Sequence, residues 1–98
     1  MEGTERAGLI RKGNQAFNEG KIAAAAEIYK ATNYKDGLIR VGDYYYFDQR
    51  KPLMAYGYYK RANHNIMLEK ISDGFIFALK YWLSSDKKTS DKNPENIQ

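Results

Sequence analysis

The stretch "LIRVGDYYYFD", residues 38–48, sets three tyrosines and a phenylalanine just behind a glycine. Its reading decides the fold. In a helix each residue turns about 100° from the last, so Tyr44, Tyr45, Tyr46 and Phe47 point to four sides. In a strand they alternate between two faces. The run alone fits either, and its surroundings have to choose. Leu38, Gly42, Tyr45 and Tyr46 stand at three- and four-residue steps, which is helical spacing.

The same landmarks recur along the chain. Ile39-x-x-Gly42 is matched by Ile10-x-x-Gly13 and Ile71-x-x-Gly74, with the glycines 29 and 32 residues apart. Beyond each glycine come Ala16 and Phe17, Tyr45 and Tyr46, or Phe77 and Ala78. Between them, Ala25-x-x-x-Tyr29 returns as Ala55-x-x-x-Tyr59, followed by Thr32 and Ala62. The breaks are "NEGK" (18–21), "NYKDG" (33–37), "FDQRKP" (47–52) and "NHN" (63–65). Gly20 suits a helix C-terminus, and Pro52 suits a first turn, where its missing N–H is not needed. "IAAAAEIYKA" (22–31) is a strong helix former. The pattern predicts helices at about 5–18, 21–32, 36–48, 52–63 and 66–84. A domain over 1–85 is then followed by a polar tail over 86–98.

With Gly13, Phe17, Gly20, Ala25 and Tyr29 in one unit and Gly42, Tyr45, Tyr46, Ala55, Tyr59 and Ala62 in the next, the chain resembles the tetratricopeptide repeat. The related Sel-like repeat, with a longer unit, is a second match. The resemblance covers about residues 5–84 and implies an all-α fold, a right-handed α-α superhelix of five helices. It pairs residues about 5–33 and 36–63 and leaves 66–84 as an extra helix. The departures are a short first unit, Thr32 where alanine is usual, no closing proline, and Arg50 for the turn glycine with about one residue inserted.

Such arrays bind peptides or partner helices in the groove of their first helices. Carried over, that groove is Arg11, Asn14, Phe17 and Asn18, then Arg40, Asp43, Tyr46 and Phe47. The chaperone-binding subgroup also needs a lysine where Ile10 and Ile39 stand, so a charged grip on a C-terminal carboxylate is not expected. Tyr45 and Tyr46 read as packing residues, and Tyr44 and Phe47 as surplus to it. Phe47 faces the groove or caps the turn after it.

Composition bounds the chemistry. With 43% apolar and 29% charged residues, the 98-residue chain suits one folded domain. No apolar run approaches the roughly 20 residues that cross a bilayer. The N-terminus lacks a basic region followed by an apolar one. Without cysteine, and with His64 as the lone histidine, neither a disulfide framework nor a metal set is expected. No nucleophile, carboxylate pair or phosphate loop stands at catalytic spacing. A cytoplasmic binding protein without cofactor is the expectation, not an enzyme. The net charge of +4 is spread over the body. A basic nucleic-acid binder using Tyr44, Phe47, Arg40 and Arg50 is the second reading.

The last helix is apolar nearly all round. Ile71, Phe75, Ala78, Leu79 and Trp82 form one stripe, expected to pack on the second pair. Ile76, Phe77, Tyr81 and Leu83 fall mainly outside it. They are expected to form an interface for a second copy or for a protein partner that completes the stack.

Overall fold

The computed structural model describes residues 2–92, with side chains to residue 84. Among these the chain is all-α, with no strand. The helices are α1 (Gly3–Asn18), α2 (Ile22–Thr32), α3 (Lys35–Asp43), α4 (Pro52–Ala62) and α5 (Asn65–Lys92). A π-helical turn, Tyr44–Asp48, extends α3. The chain divides into two compact units that part between Leu68 and Glu69.

Local chemistry places the ends in the first unit. Pro52 opens α4 in its first turn. Gly20, Asn33, Arg50 and Asn63 take left-handed backbone at φ 82°, 52°, 56° and 56°. Glycine reaches that region without strain, and asparagine reaches it more readily than most residues. After three of these turns a backbone N–H reaches five residues back to close the preceding helix. Lys21 donates to the Ala16 carbonyl at 2.8 Å, Tyr34 to Tyr29 at 3.0 Å, and His64 to Tyr59 at 3.0 Å. This is the 6→1 closure of a helix ending on a left-handed residue.

α1 packs on α2, α2 on α3, and α3 on α4. Small residues set how close they come. A Cβ on Gly13 would stand 2.9 Å from Tyr29 Cε1, and one on Gly42 would stand 2.7 Å from Tyr59 Cε1. Both rings are fully buried. Each tyrosine also reaches the residue after its glycine. Tyr29 donates its hydroxyl hydrogen to Asn14 Oδ1 at 2.7 Å, and Tyr59 to Asp43 Oδ1 at 2.6 Å. The sequence landmarks are therefore one contact made twice. Gly37 presses still closer on the Tyr29 ring, so that ring is held between glycines of α1 and α3. Gly37 thus lies inside α3 and not in a break over 33–37. The turn is complete by Asn33, and the helix starts at Lys35.

The expected plain helix over 36–48 is corrected in its last turn. Gln49 donates to the Tyr44 carbonyl five residues back, at 3.1 Å. Lys51 then reaches six residues back to Tyr45 at 2.8 Å, where the matching Lys21 reaches five. The second pair holds one residue more than the first at this point, and a wider turn absorbs it. The same turn re-aims the aromatic run. Tyr45 stacks on Tyr58 of α4, with centroids 5.7 Å apart and planes 10° apart. It is partly buried and packs against the hydrophobic core together with Tyr58.

The third set of landmarks is corrected too. α5 starts after Asn63 as α3 starts after Asn33, so position 38 corresponds to 68 and 41 to 71. Burial agrees, since Gly37 and Val41 match buried Met67 and Ile71. Gly42-Asp43 is then answered by Ser72-Asp73, and not by Gly74, whose added Cβ would meet open space. Of the expected stripe only Ile71 is buried, at 4% exposed. Phe75, Leu79 and Trp82 are 45%, 54% and 61% exposed. α5 also continues past the expected end at residue 84 to Lys92. The remaining positions of the expected tail, 93–98, lie outside the described residues.

Candidate functional site

The first helices carry one convergent cluster. Asn14, Phe17 and Asn18 stand on successive turns of α1, at the three- and four-residue steps that share a face. Arg40 of α3 reaches across to them. Its guanidinium carbon lies 4.4 Å from the centre of the Phe17 ring. At that distance the cation is attracted to the electron-rich face of the ring. Its nitrogens donate to Asn14 Oδ1 at 3.4 Å and Asn18 Oδ1 at 3.5 Å. Both are long, so they steer the guanidinium more than they hold it. The arginine is thereby drawn over an aromatic ring of the neighbouring helix.

Phe17 and Arg40 form one wall of a shallow depression whose other lining residues are Asp43, Tyr44, Phe47 and Asp48. A second depression beside it is lined by Tyr46, Phe47, Arg50 and Pro52. Phe47 is common to both and is 55% exposed. Its ring meets Tyr46 edge-on at 4.8 Å and 85°. The π-helical turn makes this division: Tyr45 goes to α4, while Tyr44 and Phe47 go to the first depression.

Of the eight groove residues expected from the sequence, Phe17, Arg40, Asp43 and Phe47 line the first depression. Asn14 and Asn18 orient its arginine, and Tyr46 lines the neighbouring depression. Arg11 lies in neither lining; it is exposed on α1, with its guanidinium near Gly8. Asn14 and Asp43 have a second task that sequence reasoning missed, because each accepts the hydroxyl of a buried tyrosine. The clue was there: a polar residue follows the packing glycine in both units. Burial holds the Tyr29 hydroxyl above its ordinary pKa. Burial, then the Asp43 carboxylate, pushes Tyr59 up further. Both hydroxyls therefore keep their protons and remain donors. Asp48 and Pro52 enter the two linings unannounced, and Tyr44 and Arg50 enter them from the second, nucleic-acid reading of the sequence.

His64 is a junction residue, its ring 5.5 Å from that of Tyr59. Among the described residues no group of histidine and carboxylate side chains could hold a metal ion. No described helix is long and apolar enough to cross a membrane.

No protein-family model matches the chain, and no solved structure matches it. A curated protein of Treponema pallidum (strain Nichols), described as an uncharacterized protein, is 51% identical over 41 residues. The matched segment is 42% of this chain and spans 39% of that relative's length.

Proposed function

We propose that the chain is a protein-interaction module of the tetratricopeptide type, a right-handed stack of helix pairs that acts by binding rather than by catalysis. What supports the architecture is the repeated contact: a glycine in the first helix, a tyrosine ring over it from the second, and a polar acceptor for its hydroxyl. The receptor surface is the depression of the first helices. The observation that carries it is Phe47, a large apolar side chain left 55% exposed beside an arginine already oriented over Phe17. An aromatic and guanidinium surface of this kind fits an apolar side chain of an extended segment or of a partner helix. The two residues flanking the depression on the α3 side, Asp43 and Asp48, give it a mixed charge rather than the uniformly basic lining that tracks a phosphate backbone.

The test separates binding from packing. Peptides selected from a random display library against the wild-type protein serve as probes. Phe47→Ala should weaken them at least tenfold, with stability changed by no more than about 0.5 kcal/mol, as for other surface sites. Tyr45→Ala should cost about 1–2 kcal/mol, below the roughly 3–5 kcal/mol of a fully buried aromatic, because Tyr45 is only partly buried. Equal binding by wild type and Phe47→Ala would remove the depression as the receptor. Tight single-stranded oligonucleotide binding that collapses with added salt would favour the nucleic-acid reading instead.

A further inference from the structure

In both pairs the face of the first helix that carries Gly13-Asn14 or Gly42-Asp43 is covered by the second helix. Ser72-Asp73 is the matching position on α5, and the face around it continues through Ile76, Leu79 and Leu83. These three large apolar residues, at three- and four-residue steps, are 52%, 54% and 52% exposed. Phe75 and Trp82 flank them at 45% and 61% exposed. A free side chain of this size presents roughly 150–250 Å², so the five leave roughly 500 Å² of apolar surface in water. That is most of the roughly 800 Å² that each partner buries in a stable complex of standard size.

The charges indicate what covers this face. From Ile71 to Leu83 the charged residues are Asp73 and Lys80 alone. They stand one heptad apart, on the same edge of the helix, with opposite sign. When two copies of a helix pack antiparallel, each edge meets the same edge of its partner running the other way. With the two-fold axis between Ile76 and Phe77, Asp73 of one copy falls beside the partner's Lys80, the axis makes the pair twice, and Leu79 sits at the level between the partner's Ser72 and Ile76. A parallel pairing brings no such match. Antiparallel is also the sense in which a short turn folds α1 on α2 and α3 on α4.

We infer that the Ile76–Leu79–Leu83 face of α5 binds the same face of a second copy of this chain, antiparallel, with Asp73 opposite the partner's Lys80. Each α5 gives its partner the cover that α2 gives α1 and α4 gives α3. This interface is separate from the depression at Phe17 and Phe47, so either can fail while the other stands.

Sedimentation of the full chain over a hundredfold concentration range tests it. The wild type should pass from monomer to dimer. Leu79→Glu should weaken the dimer at least a hundredfold, yet melt as the wild type does at concentrations where the wild type is monomeric, and keep its peptide binding. Asp73→Lys or Lys80→Asp alone should weaken it about tenfold, since each creates two like-charge contacts. An equimolar mixture of those two variants should recover a dimer close to wild-type strength. One variant then carries a positive charge at both positions and the other a negative charge at both, so opposite charges face each other twice across the interface. A wild type that stays monomeric throughout overturns the inference. So does a dimer indifferent to Leu79→Glu, or a mixture no tighter than either charge variant alone.

Discussion

In the first helix pair Tyr29 lies over Gly13 and bonds Asn14; in the second, Tyr59 lies over Gly42 and bonds Asp43. Up to that contact the pairs are equivalent, and they part only on the way to the next turn. The first pair reaches it in an ordinary α-helical closure on Gly20. The second carries one residue more, widens to a π-helical turn and closes on Arg50 instead. An inserted residue in a helix normally rotates everything after it by about 100°. Here the rotation is confined to one turn, so α4 starts in register while Phe47 is carried to the surface. The shared contact holds the two pairs together, and the departure from it brings Phe47 to the depression that Phe17 and Arg40 line.

The sharpest way to break that equivalence is to remove the rings. Tyr29→Ala and Tyr59→Ala should each cost about 3–5 kcal/mol, the range for deleting a buried aromatic, read from urea denaturation. Tyr29 also packs on Gly37, so its loss should be at least as large as that of Tyr59. A small cost for either would mean that the two contacts are not the same structural device.

The next effect comes from filling the glycines. Gly42→Ala should destabilise by about 1–3 kcal/mol, as overpacking does in a tight core. Gly13→Ala should cost less, because its Cβ would meet the ring at 2.9 Å rather than 2.7 Å. Helix propensity works the other way, since alanine gains about 1 kcal/mol over glycine. The sign of the net change therefore reports how tightly each ring is held. If Gly42→Ala stabilises the protein, the close approach is not needed and Tyr59 has room to shift.

The smallest effect refines the point of difference. Arg50→Gly restores at the second turn the residue that Gly20 supplies at the first. It should raise the melting temperature slightly, through relief of up to about 1–2 kcal/mol of left-handed strain, offset in part by the greater freedom of glycine when unfolded. A fall in stability would show that the Arg50 side chain contributes packing beside Pro52 that outweighs its backbone cost.

Where the first four helices lie was legible in the sequence to within a residue or two, because propensity, proline placement and turn residues act over a few neighbouring positions, whereas the end of α5 was not. The sequence also determined which residues repeat, since Gly13, Gly42, Tyr29 and Tyr59 are legible as letters at matched spacing. Six of the eight expected groove residues meet around one depression or orient its arginine, because a helix face follows directly from three- and four-residue steps. Which tyrosines are fully buried depends on how the helices pack, since Tyr29 and Tyr45 look alike until Gly13 and Gly37 close on one and the other stacks on Tyr58 at partial exposure. The π-helical turn was equally hidden: whether one extra residue bulges within the helix or lengthens the loop depends on where α4 must dock. The register of α5 is a matter of counting from Asn63, and the tempting Gly74 misplaces it by two residues. A glycine marks a close contact only when another helix arrives there, and at Gly74 the structure brings none.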